Sequence, residues 1–391
     1  MIRLYICLAS AVVLVACNSV NSGTKKAEQI SRSVSDQYIP DSREDLFQIQ
    51  FKTKGESLLV FGETTNLEAK KALIDQLKSL TIPIEDSIRF LPDPALGGNT
   101  WGLVNVSVCN IRSKSGHSSE MSTQAILGTP VRILKKSNSW LFVQTPDRYL
   151  GWVDDDAIQQ TDSAGIRNWR HGKRFIYLPL AGTGFDPVTK EAVTDLVAGS
   201  ILKFDTISKA EALLEMPDGR KLVVPASDGL DFEFWKKQTQ ATAATLSATS
   251  KTLTGRPYLW GGTSSKGVDC SGFVKTAFFL NGIILARDAS LQFRHGQFTN
   301  PDSGYNALKP GDLVFFGRKA EGDRPARATH VGLYLGNGDY INSSGCVKIN
   351  SFSPDQKTYA KSRAGMWLGG RTILGSEGTK GIVRVRDHPW Y

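Results

Sequence analysis

Asp269-Cys-Ser-Gly-Phe-Val-Lys-Thr-Ala-Phe-Phe-Leu280 is the stretch on which the reading of this chain turns. Phe273, Val274, Ala277 and Phe278 keep the spacing of one apolar helix face, so Cys270 falls in the first turn of a helix that Asp269 is suited to cap. The partial positive charge of a helix start favours a thiolate and predicts a lowered thiol pKa. By position alone Cys270 reads equally as a nucleophile and as a small packing residue. Further on, Thr329-His-Val-Gly-Leu-Tyr-Leu335, the turn Gly336-Asn-Gly338 and Asp339-Tyr-Ile-Asn-Ser-Ser344 read as a β-hairpin. Counted from Asn337, His330 lies seven residues back and Asn342 five residues on. They are therefore cross-strand or diagonal neighbours, with Asn342 placed to hold one imidazole nitrogen while the other faces a nucleophile. A cysteine at a helix start, a histidine on a later strand and an amide that orients it are the parts of an activated thiol.

Upstream of this region the pattern is different. Gln238–Leu253 is an Ala/Thr/Ser-rich helix candidate. Between Trp101 and Ile158, short strands at Val104–Cys109, Ala125–Leu127, Val131–Leu134, Trp140–Gln144 and Tyr149–Val153 are split by Gly, Pro, Asn and Asp, as in a small barrel. A weaker second copy follows. Leu196-Val-Ala-Gly-Ser-Ile-Leu-Lys-Phe204 parallels Ala125-Ile-Leu-Gly-Thr-Pro-Val-Arg-Ile133, and Leu214-Glu-Met-Pro-Asp-Gly219 parallels Val143-Gln-Thr-Pro-Asp147. Nearer the front, Leu46–Phe51 alternates as a strand, Leu58–Phe61 follows, and Leu67–Leu80 has helical spacing, giving a strand-strand-helix unit with no chemistry of its own.

Composition narrows the classes. The 391 residues carry 47 Lys+Arg against 38 Asp+Glu, a formal charge of +9, with 40% hydrophobic and 22% charged residues. That is too apolar for a disordered chain, and the positive excess is spread out rather than gathered in a run, so no nucleic-acid partner is expected. Five histidines stand far apart and no Cys-x-x-Cys occurs, so no metal site is expected either. His117, His171, His295 and His388 read as surface or packing residues. Met1-Ile-Arg3, the apolar stretch Leu4–Ala16 and then Cys17 suggest an exported chain, because the stretch is too short for a membrane span. Leu14-Val-Ala-Cys17 resembles the lipobox of bacterial lipoprotein signal peptides. The resemblance implies that Cys17 carries lipid and holds an exported protein to a membrane, facing the periplasm or cell surface. Cys109 and Cys346 read as small buried residues in separate domains rather than as a disulfide.

Asn110-Ile-Arg112, Leu127-Gly-Thr-Pro-Val131 and Tyr149-Leu-Gly-Trp-Val153 resemble the bacterial SH3-like domain. Tyr258-x-Trp-Gly-Gly262, Asp269-Cys-Ser-Gly272, Leu308-Lys-Pro-Gly-Asp-Leu-Val-Phe-Phe316 and His330-Val-Gly-Leu-Tyr334 resemble the NlpC-type cell-wall peptidases, papain-like enzymes that need no metal or cofactor. The expected architecture is α+β: signal peptide 1–17, flexible tether 18–44, small α+β unit 45–98, SH3-like barrels 99–160 and 161–230, and a papain-like domain 231–391. Paired barrels ahead of such a domain resemble the γ-D-glutamyl-L-diamino-acid endopeptidases, which act on peptidoglycan stem peptides whose L-Ala has a free amine. The resemblance implies a hydroxyl from Tyr258 near the oxyanion, a pocket wall from Trp260, substrate contacts from Asp269 and Ser271, and an amine site made by Asp288 with Tyr149 and Glu120 of the first barrel. Many family members carry histidine where Asn342 stands. An amide orients the imidazole but shares no charge with it. Two other readings stay open: a hydrolase of intact peptidoglycan with an open cleft, and a wall-binding lipoprotein whose catalytic domain is idle.

Overall fold

The computed structural model describes residues 23–208 and 210–391. Cys17 and the apolar stretch before it lie outside these residues. The chain divides into one unit ending at Gly97 and a second spanning Gly98–Tyr391.

In the first unit, strands Phe47–Lys54 and Ser57–Thr64 pair antiparallel, and Ile84–Phe90 joins the second of them in parallel after a crossover through helix Leu67–Leu77. Asn66 caps that helix, its Oδ1 accepting from the Ala69 amide at 2.9 Å. The expected tether is corrected here: residues 23–38 form a helix. Its Lys, Glu, Ser and Asp side chains hide a narrow stripe of Ala27, Ile30 and Val34 at i, i+3 and i+7, which packs on Leu58, Val60, Leu73 and Leu77. Packing against the sheet, rather than propensity, makes this segment helical.

The second unit opens with two seven-stranded barrels. The first uses Trp101–Val104, Val108–Arg112, Met121–Ile126, Pro130–Ser137, Trp140–Gln144, Leu150–Asp154 and Ile158–Thr161. The second uses Arg174–Tyr177, Gly182–Phe185, Ala192–Leu196, Ile201–Ile207, Glu211–Glu215, Lys221–Pro225 and Gly229–Asp231. Both share one strand order, seventh-first-fourth-fifth-sixth-second-third, which is the internal repeat seen as topology. The single strand expected at Val104–Cys109 is two strands, because the chain breaks at residues 105–107 to cross from the second place in the sheet to the sixth.

The remaining residues build the domain that carries the site. Helix α1 (Ala243–Thr252) and helix α2 (Cys270–Phe279) pack on a six-stranded sheet. Its strands are β1 (Gln297–Thr299), β2 (Leu313–Arg318), β3 (Arg327–Gly336), β4 (Asp339–Ser344), β5 (Cys346–Ser351) and β6 (Trp367–Thr372), in the order β1-β6-β2-β3-β4-β5. Phe273, Val274 and Phe278 of α2 are fully buried against Leu313, Phe315, Val331 and Ile341. Burying each such side chain is worth about 1.5–3 kcal/mol, enough to fix α2 on β3. Short helices α3 (Ala289–Gln292) and α4 (Lys361–Gly365) flank the sheet.

The barrels are bound into this domain. Gln124 of the first barrel accepts from the Thr263 amide through Oε1 (3.0 Å) and from the Thr263 hydroxyl through its carbonyl (2.9 Å). At the other end His388 donates from Nε2 to Pro146 O at 3.0 Å, and Trp390 meets Trp101 edge-on at 5.1 Å. Cys109, Cys270 and Cys346 are all free thiols.

Candidate active site

Cys270 begins α2. Asp269 at the N-cap accepts from the Gly272 amide at 2.7 Å, so the nucleophile candidate sits in a capped first turn. Cys270 is 7% exposed and lies near the backbone amides of Val331, next to His330 on β3, and of Ser271 in its own helix, both of which favour the thiolate. Burial, followed by the Asp269 carboxylate, pushes the thiol up to about 11. This corrects the lowered value expected from the helix start. Desolvation and a neighbouring anion outweigh two backbone donors and the helix dipole.

His330 on β3 is 4% exposed. Its Nε2 meets Asn342 Oδ1 on β4 at 2.8 Å. The orientation of that amide is fixed from behind, because Asn342 Nδ2 donates to Asn350 Oδ1 (2.9 Å) and Lys348 O (3.3 Å) on β5. Oδ1 is therefore the acceptor and Nε2 carries the proton, which leaves Nδ1 with the lone pair of a base. By strand register the two residues are diagonal, with Asn342 across from Gly332. A Cβ at Gly332 would stand 3.1 Å from Asn342 Cβ and 3.0 Å from Ile341 O, so the missing side chain clears the path to His330. Burial first, then the Arg363 guanidinium, lower the imidazole to about 4. Cys270 and His330 thus both rest neutral.

Tyr258 precedes the nucleophile helix in a loop tied to β4–β5 by its amide, which donates to Gly345 O at 2.9 Å. Burial and the nearby Cys270 and Asp269 charges push its phenol up to about 12, so it stays a hydroxyl donor at working pH. Trp260 is 62% exposed and so is no core residue. Its Nε1 donates to Glu120 Oε1 of the first barrel at 2.8 Å. Gly261 lets the loop close on that barrel: φ is +79°, and a Cβ there would stand 2.4 Å from Met121 O.

Asp288 occupies the N-cap position of α3 yet makes no capping bond. Instead its Oδ2 accepts from the Tyr149 hydroxyl at 3.0 Å, across the junction of barrel and catalytic domain. The structure thus pairs Asp288 with Tyr149, and Glu120 with Trp260.

Asp269 and Ser271 are corrected as substrate contacts. Both are buried and their side-chain oxygens are already occupied. Asp269 Oδ2 accepts from the Gly261 amide (3.0 Å) and Arg287 Nη2 (2.6 Å), and its Oδ1 from Gly272, the Ser271 hydroxyl and Arg287 Nη1. Only their backbone groups are left to meet a substrate.

Arg287 is the residue that sequence reasoning passed over. It is 1% exposed and bridges Asp269 and Ser271 to Thr123 Oγ1 of the first barrel, Nε donating at 2.9 Å. Burial works against its charge, but Asp269 outweighs burial and holds the guanidinium charged. The signal was an Arg beside one site aspartate and an Asp beside the cysteine. Nothing local in the sequence marks Thr123 or Asn350.

Comparison with known proteins bears on the family and the fold. The NlpC/P60 family model matches residues 255–368, and the bacterial dipeptidyl-peptidase SH3 domain model matches residues 111–158. A γ-D-glutamyl-L-lysine dipeptidyl-peptidase of Bacillus cereus is 27% identical over 307 residues, 73% of this chain and 88% of the relative. A protein of the same name from Bacillus subtilis is 40% identical over 231 residues, 57% of this chain and 72% of the relative. The crystal structure of an NlpC/P60 family protein from Bacillus cereus superposes with a TM-score of 0.60 at 21% identity, covering 70% of this chain and 99% of that one, which shows a shared fold. The family model over the catalytic domain and the 40% identity to a relative covered over 72% of its length place the chain in the NlpC/P60 family.

Proposed function

We propose that this protein is a cysteine endopeptidase that hydrolyses the γ-D-glutamyl to L-diamino-acid bond of peptidoglycan stem peptides with a free N-terminal L-Ala, in cell-wall remodelling or recycling. The observation that carries this reading is the contact between Tyr149 of the first barrel and Asp288 beside the Arg287–Asp269 bridge. A carboxylate held at a domain junction, with Glu120 and Trp260 across the same junction, suits a short peptide's ammonium. A glycan-linked L-Ala has an acylated, uncharged nitrogen that cannot pair with this carboxylate, which favours free peptides over the intact wall. The names of the two Bacillus relatives, γ-D-glutamyl-L-lysine dipeptidyl-peptidases, support the same bond.

The chemistry follows from the neutral pair. As Cys270 sulfur attacks the glutamyl carbonyl carbon, its proton passes to His330 Nδ1 and the S–C bond forms. The oxyanion develops toward the Tyr258 hydroxyl and the amide of Cys270. His330 then gives the proton to the leaving amine as the C–N bond breaks. Water, deprotonated by His330, hydrolyses the thioester, and the proton returns to sulfur. Asn342 keeps the imidazole in the tautomer these steps require.

Incubating L-Ala-γ-D-Glu-diamino-acid peptide with the protein and weighing the products by mass spectrometry tests this reading. L-Ala-D-Glu and the freed diamino acid are expected, with none from Cys270→Ala. Cleavage at another bond, or turnover by folded Cys270→Ala, would discard it. Export and membrane tethering through lipid on Cys17 belong to the same proposal and rest on the sequence. Cys17→Ser should move the protein to the soluble fraction, and unchanged membrane association would refute the anchor.

A further inference from the structure

Arg363 on α4 is a cation beside the catalytic groups. Among the described residues no carboxylate lies within ion-pair reach of its guanidinium, and its one side-chain contact is a long one, Nη2 to Ser344 Oγ at 3.5 Å. Ser344 stands two residues beyond Asn342 on β4, so both side chains leave the strand on the face that His330 occupies. The neighbouring Ala364 packs into the cluster of Phe316, Tyr340 and Trp367, and Phe316 lies against the His330 ring at 5.9 Å. The guanidinium is partly buried and acts electrostatically on three residues at once, His330, Tyr258 and Tyr340. A charge so placed opposes the imidazolium that the reaction must form, unless an anion arrives with the substrate.

The side of the scissile bond follows from the two ends of the site. Asp288, Tyr149, Glu120 and Trp260 lie at the barrel junction, on the acyl side. His330 must face the leaving nitrogen, and Arg363 is grouped with His330. Resting on the endopeptidase reading, we propose that Arg363 receives a carboxylate of the diamino acid whose amine leaves, and that the protein selects stem peptides in which that residue has a free carboxylate. The carboxylate is either the chain end or the end of a diaminopimelate side chain. Lysine offers only the first. An anion there binds the substrate and relieves the opposition to a protonated His330, so both KM and kcat gain.

Three peptides separate these sources: L-Ala-γ-D-Glu-L-Lys with a free C-terminus, the same peptide as its C-terminal amide, and L-Ala-γ-D-Glu-diaminopimelate with the C-terminus amidated and the side-chain carboxylate free. The full chain should cut the first, the third or both at least about tenfold better in kcat/KM than the second, the scale of a charged hydrogen bond. Arg363→Gln should lose that advantage and Arg363→Lys should keep part of it. Equal rates on all three peptides would overturn the proposal while leaving the endopeptidase reading intact. So would an Arg363→Gln variant that slows all three alike, because the arginine would then serve the shared γ-D-glutamyl part or the fold. The wild-type comparison decides even where Arg363→Gln does not fold. Failure to cut any of them would remove both the endopeptidase reading and this proposal.

Discussion

Replacing Arg287 with methionine removes the side chain that ties the nucleophile's helix to the first barrel. Four hydrogen bonds go with it: two to Asp269 (2.6 and 3.2 Å), one to the Ser271 hydroxyl (3.0 Å) and one to Thr123 (2.9 Å). Asp269 stays behind, buried and without its cation. Breaking one partner of a buried pair costs about 3–5 kcal/mol, which for a unit of this size lowers Tm by roughly 5–8 °C. The pH dependence should weaken as well. In the wild type Asp269 is buried, but Arg287, helped by the Gly272 amide and the Ser271 hydroxyl, more than offsets that burial and holds its pKa below the ordinary carboxylate value. Its contribution is therefore present above the unfolded value of about 3.9 and lost as pH falls through the folded one. In Arg287→Met burial is opposed only by the Gly261 and Gly272 amides and the Ser271 hydroxyl, so the pKa rises from its wild-type position and the stability that Asp269 contributes above the unfolded value shrinks. Thermal melts between pH 3 and 8, with Arg287→Met/Asp269→Asn closing a double-mutant cycle, read both effects. The double variant should recover part of the loss. A deficit under about 1 kcal/mol, as for an exposed pair, would refute the reasoning.

Asn342→Ala should cut kcat/KM by roughly ten- to a hundredfold, less than Cys270→Ala, because it removes the hydrogen bond that sets the tautomer and leaves the reacting groups in place; equal severity in steady-state assays would show that orientation is underrated. Tyr258→Phe deletes a donor aimed at the oxyanion and should lower kcat by about a hundredfold with little change in KM; a KM effect alone would make it a binding residue. In pH profiles of kcat/KM the acid limb should fall near 4, since His330 is unprotonated above that value. The alkaline limb should come near 8, where the substrate's α-amine loses its charge. An acid limb at 6–7 would contradict the burial argument.

The catalytic trio was legible because each member has a local signature: a capped helix start for Cys270, and hairpin arithmetic about Asn337 for His330 and Asn342. The barrels were legible through turn residues and an internal repeat. Three things were hidden. The helix over residues 23–38 rests on three apolar positions in a polar stretch, a stripe that only the adjoining sheet reveals. The thiol's raised pKa depends on burial and on Asp269, which a helix-dipole argument omits. The Arg287–Thr123 bond joins residues 164 apart in sequence, and no periodicity reports a contact of that kind.

The central claim is that Asp288 and Tyr149 close the cleft around a free ammonium. The most direct test is kcat/KM for L-Ala-γ-D-Glu-diamino-acid peptide against its N-acetylated form, measured on the wild type and on Asp288→Asn. Acetylation removes the charge and leaves Asp288 facing an uncharged, bulkier group, so the free peptide should be preferred by about a hundredfold or more, and Asp288→Asn should narrow that ratio. Equal rates on the two peptides would contradict the account and make the cleft open at this end.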